Sequence, residues 1–241
     1  ISELDEIDVK TRKLLTLTRN LHRNGDVHRI YMPRSEGGRG LKSVRTAFDI
    51  RLISLRQHII QASDANPFMR KVHQHEGSGV IRIAEELLTS LDLNADPAIA
   101  PLECCKSAVK VIHKKRESSF ISKVMHGYLA REMREKPEID FKTSLSCWNN
   151  RKMSSHFEGY IQAMQEQKIG TKYLIRKRLI QSGKEANIDD KCRLCRKHNE
   201  DVSHVIAGCE RMVARFYLPL RHDEVARFLW NRLRKTHHAE G

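Results

Sequence analysis

The sequence predicts a mainly α-helical chain, and three observations carry the prediction. Apolar residues recur at three- and four-residue spacings along most of the 241 positions. Period-two alternation, the signature of a half-buried strand, is nearly absent. Glycine and proline gather at a few points, with twelve and six residues respectively, and divide the helical stretches from one another.

Leu4–Leu21 comes first, with Leu4, Ile7, Leu14, Leu17 and Leu21 at helical spacing and bases between them. Asn24-Gly25 should stop it. His28–Met32 looks strand-like and ends at Pro33, and Glu36–Leu41 is a glycine turn. Ser43 should cap a helix running to about Gln61, with Val44, Ala47, Phe48, Leu52 and Leu55 inward. Asn66-Pro67, Gly77–Gly79 and Asp96–Pro101 punctuate the middle around a helix over Val80–Leu91. A long helix is predicted over Leu102–Lys136, ending at Pro137. Trp148 opens a stretch leading to helices over Ser155–Gln167 and Thr171–Gln181. Pro219 suits the start of a last helix, whose apolar face is Val225, Phe228, Leu229 and Leu233. Three regions follow: 1–62, basic and helical with the glycine turn; 63–182, a helical linker; and 183–241, rich in cysteine and histidine.

Charge says what such a chain should meet. Lys and Arg outnumber Asp and Glu by 44 to 30, a formal net charge of +14. Residues 10–45 hold ten bases against two acids, and residues 142–182 hold eight against two. Most single bases on helices are solvated, yet two such blocks repel themselves unless a counter-charge meets them, and a polyanion is the expected partner. No run of eighteen apolar residues occurs, which excludes a helical membrane span, and no basic-then-apolar leader precedes the first helix. A chain that opens on Ile1 is expected to be a piece of something longer, not secreted.

Of six cysteines, Cys104, Cys105 and Cys147 are scattered and expected to pack. The other three form Cys192-x2-Cys195-x8-His204-x4-Cys209, four ligands within eighteen residues. A CxxC turn aims two thiolates at one point, and a His and Cys on the next helical turn supply the remaining corners of a tetrahedron. Zn2+ is the expected cofactor, structural because all four positions are filled by protein. His198 competes with His204; His204 is preferred because Asp201 or Ser203 can cap the turn presenting it. Arg193, Arg196 and Lys197 are placed to lower the thiol pKa values. A redox CxxC needs a βαβ setting that the chain does not offer. His222 is expected to be a solvated residue near a helix start, and His73 and His75 an exposed loop pair.

The run Tyr31–Leu41 after a basic helix resembles the thumb of reverse transcriptases from non-LTR (LINE-type) retrotransposons. Trp148 and Glu158–Thr171 are similar to the helical linker that follows such thumbs. Lys191–Cys209 with Arg221-His222-Asp223-x-Val225 is similar to their C-terminal CCHC zinc knuckle and trailing helix. Residues 60–140 match loosely. The resemblance implies a nucleic-acid-binding C-terminal region that holds template RNA or target DNA, and residence in the nucleus; clusters Lys114–Arg116 and Arg176–Arg178 suit import. Lys10, Arg12, Lys13, Arg19 and Arg23 would contact phosphates, Arg34, Arg39 and Lys42 would extend that track, and Lys172, Arg176, Lys177 and Arg178 would form a second one. No Tyr-x-Asp-Asp hairpin is present, and Asp189-Asp190 directly precede the knuckle, so this chain should not polymerise alone; the fingers and palm of a parent polymerase would be its partners. The other reading is a helical protein-interaction scaffold derived from a retroelement, its zinc purely structural. An independent enzyme ranks last, for lack of a nucleophile–base pair.

Overall fold

A computed structural model gives the structure of the chain, describing residues 2–75, 79–94, 96–146 and 153–237. It is mainly helical, and among the described residues the only β pairing is an isolated bridge between Lys191 and Asn199. Cys147 and Trp148 lie outside the described residues. No described helix is long and apolar enough to cross a membrane. The chain forms two compact units, residues 1–166 and 167–241. The sequence-based boundaries fall instead at 62/63 and 182/183.

In the first unit, α1 (Ser2–Leu17) stops before Leu21, shorter than the spacing predicts. Arg19 adopts a left-handed conformation (φ 58°) and the Leu21 amide reaches back to the Leu15 carbonyl. That reversal buries Leu21 against Ile30 and Tyr31. The expected strand His28–Met32 is a short helix, α2 (Val27–Tyr31). Asp26 decides the matter: its side chain accepts from the amides of His28 (2.8 Å) and Arg29 (3.3 Å), satisfying the orphan donors of a helix start.

The glycine turn is present. Gly37 is left-handed (φ 80°), and a Cβ on Gly38 would lie 2.1 Å from the Met32 carbonyl oxygen, so only glycine allows the loop to fold back on α2. Amides of Arg39, Gly40 and Leu41 then donate to carbonyls of Arg29, Met32 and Ile30.

Ser43 caps α3 (Val44–Ala62), accepting from the Thr46 amide at 3.1 Å. Asp8 from α1 reinforces the cap: it accepts from the Ser43 hydroxyl (2.6 Å) and the Val44 amide (2.9 Å). Burial alone would raise the Asp8 carboxyl, but the Ser43, Val44 and Arg45 donors hold it below its ordinary value. A depressed carboxylate stabilises the fold above its unfolded pKa, and that contribution disappears as pH falls through the folded value. Asp8→Asn should therefore flatten the acid limb of a thermal-stability profile, and Asp8→Ala should cost about 1–2 kcal/mol at neutral pH. Equal acid limbs in wild type and Asp8→Asn would refute the role.

The inward face of α3 is rotated from the predicted one. Leu52 is buried as expected, but Val44, Ala47, Phe48 and Leu55 are exposed, while Ile53, Gln57 and Ile59 face inward. The cause is tertiary: α3 packs against α5 (Gly79–Ser90) and α6 (Pro101–Ile121) at once. Ile53, Leu88, Cys104 and Ala108 form that core, so Cys104 packs as expected. Gln57 is tolerated there because its amide donates to the carbonyls of Asp96 and Ile99, at 2.8 and 2.7 Å. Helix α4 (Pro67–Gln74) lies against α3 and leaves His73 and His75 exposed.

The predicted Leu102–Lys136 helix is two, α6 and α7 (Tyr128–Glu135). Arg131 explains how the break is satisfied, since its guanidinium donates to the carbonyls of Ile121, Lys123 and Val124 at the end of α6. A short α8 (Phe141–Ser144) precedes α9 (Ser155–Gln165), which Ser154 caps.

In the second unit Thr171 caps α10 (Lys172–Gln181). After the cysteine-rich loop come a wide π-helical turn (His204–Gly208), α11 (Glu210–Met212), a second π-helical stretch (Val213–His222) and α12 (Asp223–His237). Pro219 thus lies inside the wide stretch rather than opening the last helix. It lacks the N–H that regular α winding needs, and Asp223 and Glu224 supply the acidic first turn of α12 instead.

Candidate metal centre and basic groove

The loop between α10 and His204 is built around one carboxylate. Glu200 is buried and accepts from the amides of Lys172 and Arg193, both at 3.0 Å, and from the Arg193 guanidinium at 2.8 and 2.6 Å. The Arg193 side chain, foremost, holds the Glu200 carboxyl down to about 2. Around this clamp the chain doubles back: the Cys192 amide donates to His198, the Arg196 amide to Cys192, and the Glu200 amide to Asp190. Arg196 takes a left-handed conformation (φ 61°) that closes the turn.

The fold brings four side chains together. Ligand atoms of Cys192, Cys195, His204 and Cys209 all lie within 4.8 Å of one another. The Cys192 and Cys209 sulfurs are 3.9 Å apart, and the Cys195 sulfur is 3.3 Å from His204 Nε2. A tetrahedral ion with sulfur bonds of about 2.3 Å and a nitrogen bond of about 2.0 Å needs edges of roughly 3.8 and 3.5 Å. The donor set therefore fits a metal ion. His204, rather than His198, belongs to the group, and Asp201 presents it by accepting from its amide at 2.7 Å. Cys192 and Cys209 are buried, which suits ligands walled off from solvent.

The neighbouring cations are not the leading influence on the thiols. Arg193 pairs with Glu200, Arg196 with Asp189 and Lys197 with Glu210, so each basic charge is already met. Backbone amides come first. Those of His198 and Lys197 bring the Cys195 thiol down to about 6, while burial pushes Cys192 up.

The predicted phosphate contacts separate into three sets. Arg34 and Arg39 turn to Glu158: Arg34 donates to both carboxylate oxygens (2.8 and 3.1 Å), and Arg39 pairs with it at 3.3 Å. Arg39, only 8% exposed, also donates to Ser155, so it is a structural residue of the glycine turn rather than part of an outward track. A second set is engaged at the surface. Lys10 pairs with Glu6, Lys172 with Asp189 and Arg176 with Asp190. Lys177 lies over the Tyr173 ring, and Arg178 is half-buried. Lys42 is exposed near the start of α3.

The third set converges. Arg12, Lys13 and Arg23 line a cleft of about 450 Å3 whose walls include Val9, Leu17 and Leu21. Arg19 and Arg23 line an adjoining cleft of about 270 Å3 with His22, His156 and Tyr160. The two share Thr16, Leu21, His22 and Arg23 and so form one groove along the end of α1. No acidic residue lines either part. Arg12 is held by the Tyr31 hydroxyl at 2.7 Å. Gly159 makes the second wall: a Cβ there would lie 2.9 Å from the Asn20 carbonyl oxygen, so glycine lets α9 approach the reversal after α1. Sequence patterning gave no hint of His22, His156 or Tyr160; the one available signal was the four-residue spacing of His156 and Tyr160, which puts them on one face of α9. His222 lies exposed beside Asp223, as expected of a solvated residue at a helix start.

Comparisons with protein-family models, with curated proteins and with solved structures give no match to this chain.

Proposed function

We propose that this chain is a nucleic-acid-binding segment, with a helical unit that grips phosphates and a second unit stapled by a structural Zn2+. In role it would correspond to the C-terminal part of a non-LTR retrotransposon reverse transcriptase. The observation that carries the proposal is the groove at the end of α1. Arg12, Lys13, Arg19 and Arg23 line its two parts, and no carboxylate is in the lining. Such a surface focuses positive potential on whatever enters it, and a sugar–phosphate chain is the polyanion that a groove lined along its length can follow. The Cys3His cluster supports the second part, because zinc accepts three thiolates and an imidazole in a closed tetrahedral site, and such sites contribute to folding rather than catalysis. Template RNA or target DNA, and the fingers and palm of a parent polymerase, are the partners this role requires.

Salt dependence tests it. Binding of the zinc-loaded chain to labelled RNA and duplex DNA, followed by fluorescence anisotropy, should weaken steeply from low to physiological salt. Each phosphate contact contributes about 0.9 to the log–log slope for duplex and about 0.7 for single strands. Arg23→Gln should lower that slope by roughly one contact and weaken all sequences alike. Affinity that stays flat across this range would reject the proposal.

One observation favours the scaffold reading. Helix α12 presents Val225, Phe228, Leu229 and Leu233 on a face that is exposed, Phe228 by 60%. A chain that binds no nucleic acid but associates through α12 would fit that alternative.

A further inference from the structure

The groove holds something that phosphate binding does not use. Tyr160 stands at its α9 wall with 53% of its surface exposed. His156, one turn earlier, meets the Tyr160 ring edge-on, with centroids 5.1 Å apart and planes at 71°. That contact narrows the rotamer choice of the tyrosine and presents a pre-set ring to the cleft. Leu21 is buried beneath the cleft, and the close approach at Gly159 fixes α9 against the loop that carries Arg19 and Arg23. Within one concavity there is thus an aromatic plane, an apolar floor and guanidinium groups on the rim.

We infer that this concavity is a pocket for an unpaired nucleobase, stacked on Tyr160 while Arg19 and Arg23 hold the flanking phosphates. The inference rests on the nucleic-acid reading and narrows it to single-stranded RNA or DNA. A duplex keeps its base faces inside its own stack and offers a protein phosphates and groove edges, so a tyrosine ring on the cleft wall would gain little from it. An unpaired base exposes a π-face, and stacking it on an aromatic side chain while cations follow the backbone is how single strands are held without regard to sequence. An anionic membrane would also meet the arginines, but it has no planar group to stack on the tyrosine ring.

The test uses the full zinc-loaded chain, with oligo-dT and oligo-U of about 12 nucleotides, an abasic strand with the same number of phosphates, a DNA duplex, and phosphatidylcholine vesicles containing phosphatidylserine. Tyr160→Ala should weaken single-strand binding about ten- to a hundredfold and leave duplex affinity within about twofold. Tyr160→Phe should restore the loss, since stacking does not need the hydroxyl. The abasic strand should bind the unaltered chain about as weakly as oligo-dT binds Tyr160→Ala. An effect of Tyr160→Ala on either oligo-dT or oligo-U supports the pocket, the larger effect naming the preferred sugar. Salt-dependent duplex binding with no Tyr160 effect on either strand would overturn the pocket and leave the phosphate groove standing. Equal weakening of duplex and single strands, or a Tyr160-dependent preference for vesicles over strands, would overturn it as well. Absence of binding to every strand would overturn the broader proposal too. Tyr160 is exposed, and matching circular dichroism and thermal melts of the variants will show that any loss is not unfolding.

Discussion

Cys192→Ser should remove stoichiometric zinc from the purified chain and unfold the cysteine-rich loop. Cys192 is buried, its sulfur lies 3.9 Å from that of Cys209, and its amide opens the doubled-back loop by donating to His198. Few apolar side chains are buried in the loop itself, Val202 being one, so metal binding would supply much of its folding free energy; structural zinc in small modules contributes roughly 10–16 kcal/mol. The variant should lose helical signal from the second unit, while the first unit, compact on its own contacts, keeps a cooperative melt. Metal analysis, far-ultraviolet circular dichroism and limited proteolysis measure the three parts. One equivalent of zinc retained by Cys192→Ser, with an unchanged proteolysis pattern, would exclude this site. His204→Ala should behave alike and His198→Ala should not, because His204 and not His198 belongs to the cluster.

Glu166→Ala should destabilise the first unit by about 3–5 kcal/mol, since it leaves a buried guanidinium without its counter-ion. Glu166 is 1% exposed, accepts from the Asp26 amide at 2.7 Å, and pairs with the buried Arg29 at 3.3 Å. Burial pushes its carboxyl up to about 7, against the opposing pull of Arg29 and the Asp26 amide. Arg29 is further tied to the Gly37 carbonyl at 2.9 Å, and Asp26 pairs with Lys123. One carboxylate at the end of α9 thereby joins the helix cap of α2, the glycine turn and the segment after α6. Glu166→Gln keeps an acceptor for the Asp26 amide and should cost less than the alanine change. Thermal or urea denaturation distinguishes them, and a loss below about 1 kcal/mol for Glu166→Ala would show that the network is dispensable.

Much of the architecture was legible because its causes are local. Ser43 caps the helix its position predicts, since a hydroxyl before a helical run reaches amides only two or three residues away. The cysteine cluster was legible for the same reason: CxxC and a following His-x4-Cys are short spacings, and a short chain between ligands leaves few ways to place them. Its tuning was not. The bases beside the cysteines suggested charge, whereas Glu200, Asp189 and Glu210 pair with those bases and backbone amides come first in lowering Cys195.

The α2 segment shows where local pattern is insufficient. His28–Met32 has β-prone residues, yet Asp26 converts it to a helix and Glu166, 140 positions along, accepts from the Asp26 amide. The inward face of α3 was misplaced for a related reason. Its apolar residues lie on more than one face, and only the positions of α5 and α6 choose among them.

The sequence by itself determined the helical class, the excess of positive charge, the Ser43 cap and the Cys/His spacing that brings together a candidate metal-ligand set, because each depends on residues close together in the chain or on composition alone. Tertiary structure decided which cations face outward and together. Arg34 and Arg39 look equivalent to Arg19 and Arg23 in the chain, but Glu158, more than a hundred residues away, draws the first pair to itself, while the reversal after α1 and the approach of α9 through Gly159 gather the second beside Tyr160. Pairing between distant charges is a property of the folded chain, and no local spacing encodes it.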